Sequence, residues 1–302
     1  APAESSPAIQ RSARDLILNH EQAAAWYAKP PGPRDDQYEF IVITLEDLVD
    51  DVAPLVIWEQ DKGRTVMVVT AQWISDTYPG VDLAERIRNF LRDKYAADAW
   101  GIEHVLIVAD HDDIPMRTVW QDLGYGHPYT DMYYAELTLP DDQSWDLDGD
   151  GHYAEEEDAP DFYNEICVGR IPWSEPAIVQ HICEKSIVFE QNHEPAYKQN
   201  ILLLGAFFWP DTDCAVLMET IAALPHLADW TSVRMYEAGF SDYWMDFDIS
   251  HSNVVTEWSG NKYAVVPWCG HGSPTSAHRY YYGSPAFIQA SDCPLLNDDF
   301  PS

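Results

Sequence analysis

Three short runs rich in β-branched residues mark the first half of the chain: Tyr38–Thr44 (YEFIVIT), Arg64–Thr70 (RTVMVVT) and His104–Asp110 (HVLIVAD). Their length and composition predict strands. Between the second and third, Leu83, Ile87, Phe90 and Leu91 recur at helical spacing with Arg86, Arg88 and Asp93 interleaved. Residues 111–163 break this rhythm, being rich in Asp, Gly, Pro and Tyr. A segment of that length inside a compact domain is usually functional or tied down. The alternation then resumes. It predicts a strand over Glu165–Arg170, a helix over Pro176–Glu190, a strand over Asn200–Ala206 and a helix over Asp213–Ala223. Strands follow at Thr231–Tyr236 and Lys262–Trp268. Strands alternating with helices predict an α/β protein in which helices pack on a parallel sheet. We read an N-terminal tail and linker over 1–37, punctuated by Lys29-Pro-Pro-Gly-Pro-Arg34, and two βα halves over 38–172 and 173–302, sharing one sheet or two abutting ones.

Charge narrows the partners. The chain has 302 residues, 51 acids against 17 Lys plus Arg, and a formal net charge of −34. So negative a surface repels nucleic acid and anionic membranes. With 46% hydrophobic residues and twelve Trp the chain can still build a core. The longest apolar run, near Ile201–Trp209, is too short to span a bilayer. The first residues lack the basic start and apolar stretch of a signal peptide, which predicts a cytoplasmic, processed or partial chain. Five Cys, with no CxxC pair and no Cys/His zinc spacing, argue against structural zinc, and the odd number leaves at least one free thiol.

Asp146-Leu-Asp148-Gly-Asp150-Gly151-His152-Tyr-Ala-Glu-Glu-Glu157 fits D-x-[DN]-x-[DN]-G-x5-E at every specified position. Calcium takes six to eight oxygens, and this spacing turns carboxylates inward, with glycine at the sharp bend. The predicted ligands are Asp146, Asp148, Asp150, the His152 carbonyl and Glu157, in a structural site within a long loop. The competing reading is an acidic surface turn.

A second segment, Ala264-Val-Val-Pro-Trp-Cys-Gly270-His271-Gly272-Ser273, is an apolar strand running into a glycine turn that holds a histidine. The carboxyl end of a parallel strand is where open α/β sheets bind ligands. Flanking glycines let backbone N–H groups approach a substrate, as an oxyanion hole requires. The competing reading is a histidine that merely caps its strand.

The order of these stretches resembles that of the gingipain-like cysteine peptidases (peptidase family C25), whose catalytic domain is grouped with the caspases. The matching segments are Tyr38–Thr44, Ile87–Leu91, His104–Pro115, Thr130–Ala135, the Asp-rich loop, Val168–Pro172 and Cys269–Ser273. The resemblance implies a caspase-like fold and a secreted or cell-surface endopeptidase that acts on protein or peptide substrates through a Cys/His dyad. It implies His271 as the catalytic histidine, the Gly272 amide as an oxyanion donor and calcium as a structural support. Asp213 matches the position that recognises a basic P1 residue, and equally suits a helix N-cap. The family places a carboxylate after the strand matching Asn200–Ala206, where this chain has Phe207-Phe208-Trp209-Pro210.

The nucleophile departs from the pattern. After His271 the only Cys is Cys293, followed directly by Pro294 and set among turn formers, whereas the family's Cys closes a strand. The expectation is a domain truncated before its nucleophile, with Cys293 as the other candidate. The alternative function is a calcium-binding adhesion or interaction module that kept the fold and lost the activity.

Overall fold

The computed structural model describes residues 37–120, 126–137, 145–158, 160, 163–192 and 197–296. The tail expected over 1–37, but for its last residue, and the segment 297–302 lie outside them. Two compact units divide between Glu184 and Lys185. That division falls inside the helix Pro176–Gln191 rather than at the turn before it, where the sequence placed the boundary.

In the first unit, β1 (Phe40–Thr44), β2 (Val66–Thr70), β3 (His104–Val108) and β4 (Cys167–Ile171) form a parallel sheet in the order β2-β1-β3-β4. Phe40 lies opposite both Val66 and His104, and His104 opposite Cys167. Helices α1 (Val49–Asp61), α2 (Ala71–Thr77) and α3 (Leu83–Lys94) fill the connections. Asp82 caps α3 by accepting the Glu85 amide at 2.8 Å, and Arg92 and Lys94 sit in its last turn, where the helix dipole favours cations. The face that Ile87, Phe90 and Leu91 present is wholly buried. Phe90 meets Trp73, Tyr78 and Trp100 edge to face.

The Asp-rich stretch is pinned to this unit by two arginines. Arg117 forks onto both oxygens of Asp82, at 2.7 and 2.9 Å, between the rings of Tyr133 and Tyr153. Arg88, buried on α3, meets Glu136, which also accepts the Trp145 indole N–H at 2.6 Å, immediately before the Asp146 loop. Burial works to raise the Asp82 pKa, but the hydrogen bond to Arg117 and the amides of Glu85 and Ala84 outweigh it and hold the carboxyl below its usual 3.8. A carboxylate depressed in this way contributes stability that is complete above its unfolded pKa of about 4 and is lost as pH falls through the lower folded value. Asp82→Asn should therefore melt below the wild type at neutral pH, and thermal scans of the two should converge in acid.

In the second unit, β5 (Asn200–Gly205), β8 (Thr231–Tyr236), β9 (Phe247–Asp248) and β10 (Trp268–Cys269) are parallel in the order β9-β8-β5-β10. Between β5 and β8 come the short strands β6 (Phe207–Trp209) and β7 (Thr212–Asp213) and helix α5 (Ala215–Ala222), with α4 (Pro176–Gln191) leading in. Helix α6 (His251–Gly260) precedes β10. Strand β5 is buried on both faces. Leu202 and Leu204 pack with Met235, Val254 and Phe287, whereas Ile201 and Leu203 pack with Ala215, Met218 and Tyr236. The strand expected over Lys262–Trp268 shrinks to Trp268–Cys269 plus a lone bridge at Val265. Pro267 explains it, since it accepts from the Leu204 amide but has no N–H to return.

Candidate active site

The carboxyl ends of β5, β8 and β10 lie side by side, because Gly205 is opposite both Tyr236 and Cys269. Past β10 the chain makes its glycine turn and enters a small antiparallel sheet not anticipated from the sequence. It comprises β11 (His271–Ser273), β12 (Ser276–His278) and β13 (Ala286–Gln289). His271 is thus a strand residue, opposite His278, and Gly272 is opposite Ala277. Gly270 permits the turn by its lack of a side chain, as a Cβ there would lie 2.8 Å from the His278 carbonyl oxygen and 3.1 Å from the Ala206 methyl. Gly270→Ala is expected to cost roughly 1–3 kcal/mol through overpacking, read as a lower melting temperature.

His271 is half-buried. Its ring stacks on Phe208, with centroids 4.6 Å apart, and meets Trp209 edge-on at 5.1 Å. Its Nε2 lies 2.5 Å from the Phe208 carbonyl oxygen. A carbonyl can only accept, so Nε2 is the donor, and in the neutral ring Nδ1 is then the nitrogen with the lone pair. The acid expected after the strand matching Asn200–Ala206 is thus replaced by main chain, an acceptor that side-chain patterns cannot reveal.

The other candidates fall as follows. Asp213 ends β7. One carboxylate oxygen accepts the Ala215 amide at 2.9 Å, opening α5, and the other accepts the Ser241 hydroxyl at 2.7 Å. Cys293 is exposed in the 3-10 helix Ala290–Leu295 and lines, with Gly272, Trp258, Trp268 and Leu296, an apolar groove of about 330 Å³. Cys214 and Cys269 form a disulfide that ties the end of β10 to the start of α5. Cys167 is exposed on β4, and Cys183 is buried. A pairing across 55 residues cannot be read from sequence.

At the loop, the carboxylates of Asp146, Asp148 and Asp158 offer oxygens within 4.8 Å of one another. Gly149 and Gly151 both take positive φ, which lets the chain fold around them. Asp158 is fully buried and accepts the amides of Leu147 (2.6 Å) and Glu155 (3.3 Å). Asp150, His152 and Glu155 form a second group, with His152 Nδ1 3.0 Å from Asp150 and its ring stacked on Trp120. Glu157 belongs to neither group. An all-oxygen first group suits a hard cation such as calcium.

A parallel sheet whose strand β10 runs into a histidine-bearing glycine turn places the chain among the α/β proteins with a candidate site at the strand ends. The chain belongs to peptidase family C25, whose family model matches residues 34–298. Gingipain R2 of Porphyromonas gingivalis is 21% identical over 279 residues, covering 90% of this chain and 32% of that protein. Gingipain R1 of the same species is 21% identical over 252 residues, covering 81% of this chain and 21% of the relative. The chain therefore spans about a third or less of these relatives. The crystal structure of the Arg-specific cysteine proteinase gingipain R (RgpB) superposes with TM-score 0.62 at 20% identity, over 90% of this chain and 54% of that one. The complex of P. gingivalis RgpB pro- and mature domains gives 0.61 at 20% identity, over 86% and 52%. The fold is gingipain-type and caspase-like. Among the described residues no helix is long and apolar enough to cross a membrane.

Proposed function

We propose that this chain is the histidine-bearing part of a calcium-stabilised, secreted or cell-surface cysteine endopeptidase with a preference for basic P1 residues. The observation that carries this reading is the His271 imidazole, set just past the carboxyl end of β10 with Nε2 committed to a carbonyl and Nδ1 left for chemistry. In the reaction His271 Nδ1 takes the proton of a cysteine thiol, the resulting thiolate attacks the scissile carbonyl carbon, and the Gly272 amide supports the oxyanion. The C–N bond then breaks as His271 gives its Nδ1 proton to the leaving amine. The imidazole next takes a proton from water, which attacks the thioester and frees the thiol. The thiol is supplied by Cys293 or by a residue beyond Ser302. The Cys214–Cys269 disulfide supports an oxidising, extracellular location. Asp213 supplies the acid for a guanidinium or ammonium side chain.

The test uses the full-length natural protein on fluorogenic peptides that differ only at P1 (Arg, Lys, Leu or Ala), with and without a thiol-alkylating reagent. Cleavage should be fastest at Arg or Lys and stop on alkylation. Asp213→Asn should lower kcat/KM for basic peptides by at least about tenfold, the scale of one lost charge-assisted hydrogen bond, and leave Leu peptides unchanged. Cleavage that survives alkylation would sink the reading.

A further inference from the structure

The residue after β8, Glu237, is fully buried. Its carboxylate is held by main chain from two separate segments. One oxygen accepts the amides of Phe207 (3.2 Å) and Tyr280 (2.7 Å), and the other accepts the Tyr281 amide at 3.1 Å. Bonds to a carboxylate are stronger than neutral ones, and removing the acceptor would strand three donors, that of Phe207 buried and those of Tyr280 and Tyr281 part-buried.

Both segments belong to the surroundings of His271. Phe207 opens β6, and the next carbonyl along, that of Phe208, is the acceptor of His271 Nε2. Tyr280 and Tyr281 follow β12, and the Tyr280 ring lies 6.3 Å from the imidazole. Strand β6 is held besides by the Phe207 ring on Tyr281, at 5.2 Å, and by the Tyr281 hydroxyl, which donates to the Pro210 carbonyl. It is three residues long, two of them are exposed, and its partner β7 has two residues. A main-chain carbonyl orients an imidazole only as well as its own segment is held.

We propose that Glu237 is a positioning residue. It fixes the Phe208 carbonyl against His271 Nε2 and so sets the tautomer and direction of the imidazole, the task a side-chain acid performs when it bonds the histidine directly. Among the described residues, His271 bonds a carbonyl and no carboxylate. The inference rests on the reading of His271 given above and extends it to a residue two steps away.

The test is NMR of the Nε2–H proton of His271 in histidine-labelled chain. In the wild type this proton should exchange slowly with water. Glu237→Gln keeps the shape of the side chain but turns one acceptor into an NH₂ that faces an amide donor. Exchange of the Nε2–H should then accelerate about tenfold or more, the scale of one lost hydrogen bond. Glu237→Asp, which keeps the charge but reaches fewer amides, should fall between. Val254→Ala, a core change in the same unit, should lower the melting temperature and leave the signal alone, which separates positioning from general loosening. In the full-length protein, kcat should drop about tenfold in Glu237→Gln with KM unchanged, as for a group acting only on the chemical step. An unaltered Nε2–H signal in folded Glu237→Gln overturns the proposal. So does unfolding of both Glu237 variants, because the acid would then serve stability alone. The NMR readout needs no substrate, so its failure leaves the peptidase reading standing, and failure of the cleavage assay leaves the positioning result standing.

Discussion

His271→Ala in the full-length protein is expected to lower kcat/KM for peptide cleavage by roughly 10²–10⁴-fold, the usual range for loss of a general acid–base group. The fold should survive. The imidazole is half-buried, and its contacts are a stack on Phe208, edge contacts with aromatic rings and one hydrogen bond. None of these belongs to the buried cluster around Leu202, Leu204 and Phe287. The natural control is His278, which lies directly opposite on the next strand and bonds the Ser276 hydroxyl at 2.7 Å and the Ser284 carbonyl at 2.9 Å. Both of its ring nitrogens are engaged, so it has no lone pair or proton to offer a substrate. His278→Ala should keep near-normal kcat, measured beside His271→Ala with circular dichroism on both. Wild-type rates in a folded His271→Ala protein would remove His271 from the chemistry.

How far the sequence could lead is clearest in the second unit. Ile201–Leu204 is an apolar run bounded by Asn200 and Gly205, and in Thr231–Tyr236 Val233 and Met235 alternate with Ser232 and Arg234, so the strand character of both follows from side chains alone. The sheet that holds His271 has no such signature. His271-Gly-Ser and Ser276-Ala-His alternate in no hydrophobic pattern, and they pair because the turn between them brings their backbones together. Glu237 escaped notice for a related reason. In a chain with 51 acids, a single Glu before Ala-Gly looks like one more solvated charge. Only the fold brings the amides of Phe207, Tyr280 and Tyr281, 30 to 44 residues away, to the carboxylate. Its position just past the end of a parallel strand was the one available signal.

The Asp-rich loop shows the same limit, and the calcium proposed for it gives the second large effect. A D-x-D-x-D-G pattern locates the bend, and the positive φ of Gly149 and Gly151 agrees with it. The pattern also specifies a glutamate at its twelfth position, Glu157, as the closing ligand. In the folded loop the acid grouped with Asp146 and Asp148 is the next residue, Asp158. Asp158 is buried and accepts the Leu147 amide at 2.6 Å, so it faces into the loop. Its charge, close to two others, is the strongest reason for a cation there.

Saturating calcium at about a thousand times its Kd should stabilise the folded protein by about 4 kcal/mol. For a unit of this size that corresponds to a melting temperature roughly 8–16 °C higher with calcium than with chelator. The comparison that matters is between neighbours. Asp158→Asn should abolish the calcium-dependent part of the shift, whatever it does to the chelated baseline. Glu157→Gln should keep most of it. Calorimetric titration with calcium should show the same order, with binding lost in Asp158→Asn and retained in Glu157→Gln. The reverse order would restore Glu157 as the closing ligand, and no shift in the wild type would leave the acidic turn as the reading of the loop. The order expected here follows from burial, because a ligand carboxylate held inside by two amides has little entropy left to lose on binding, whereas Glu157, an exposed side chain outside the group, must first be ordered.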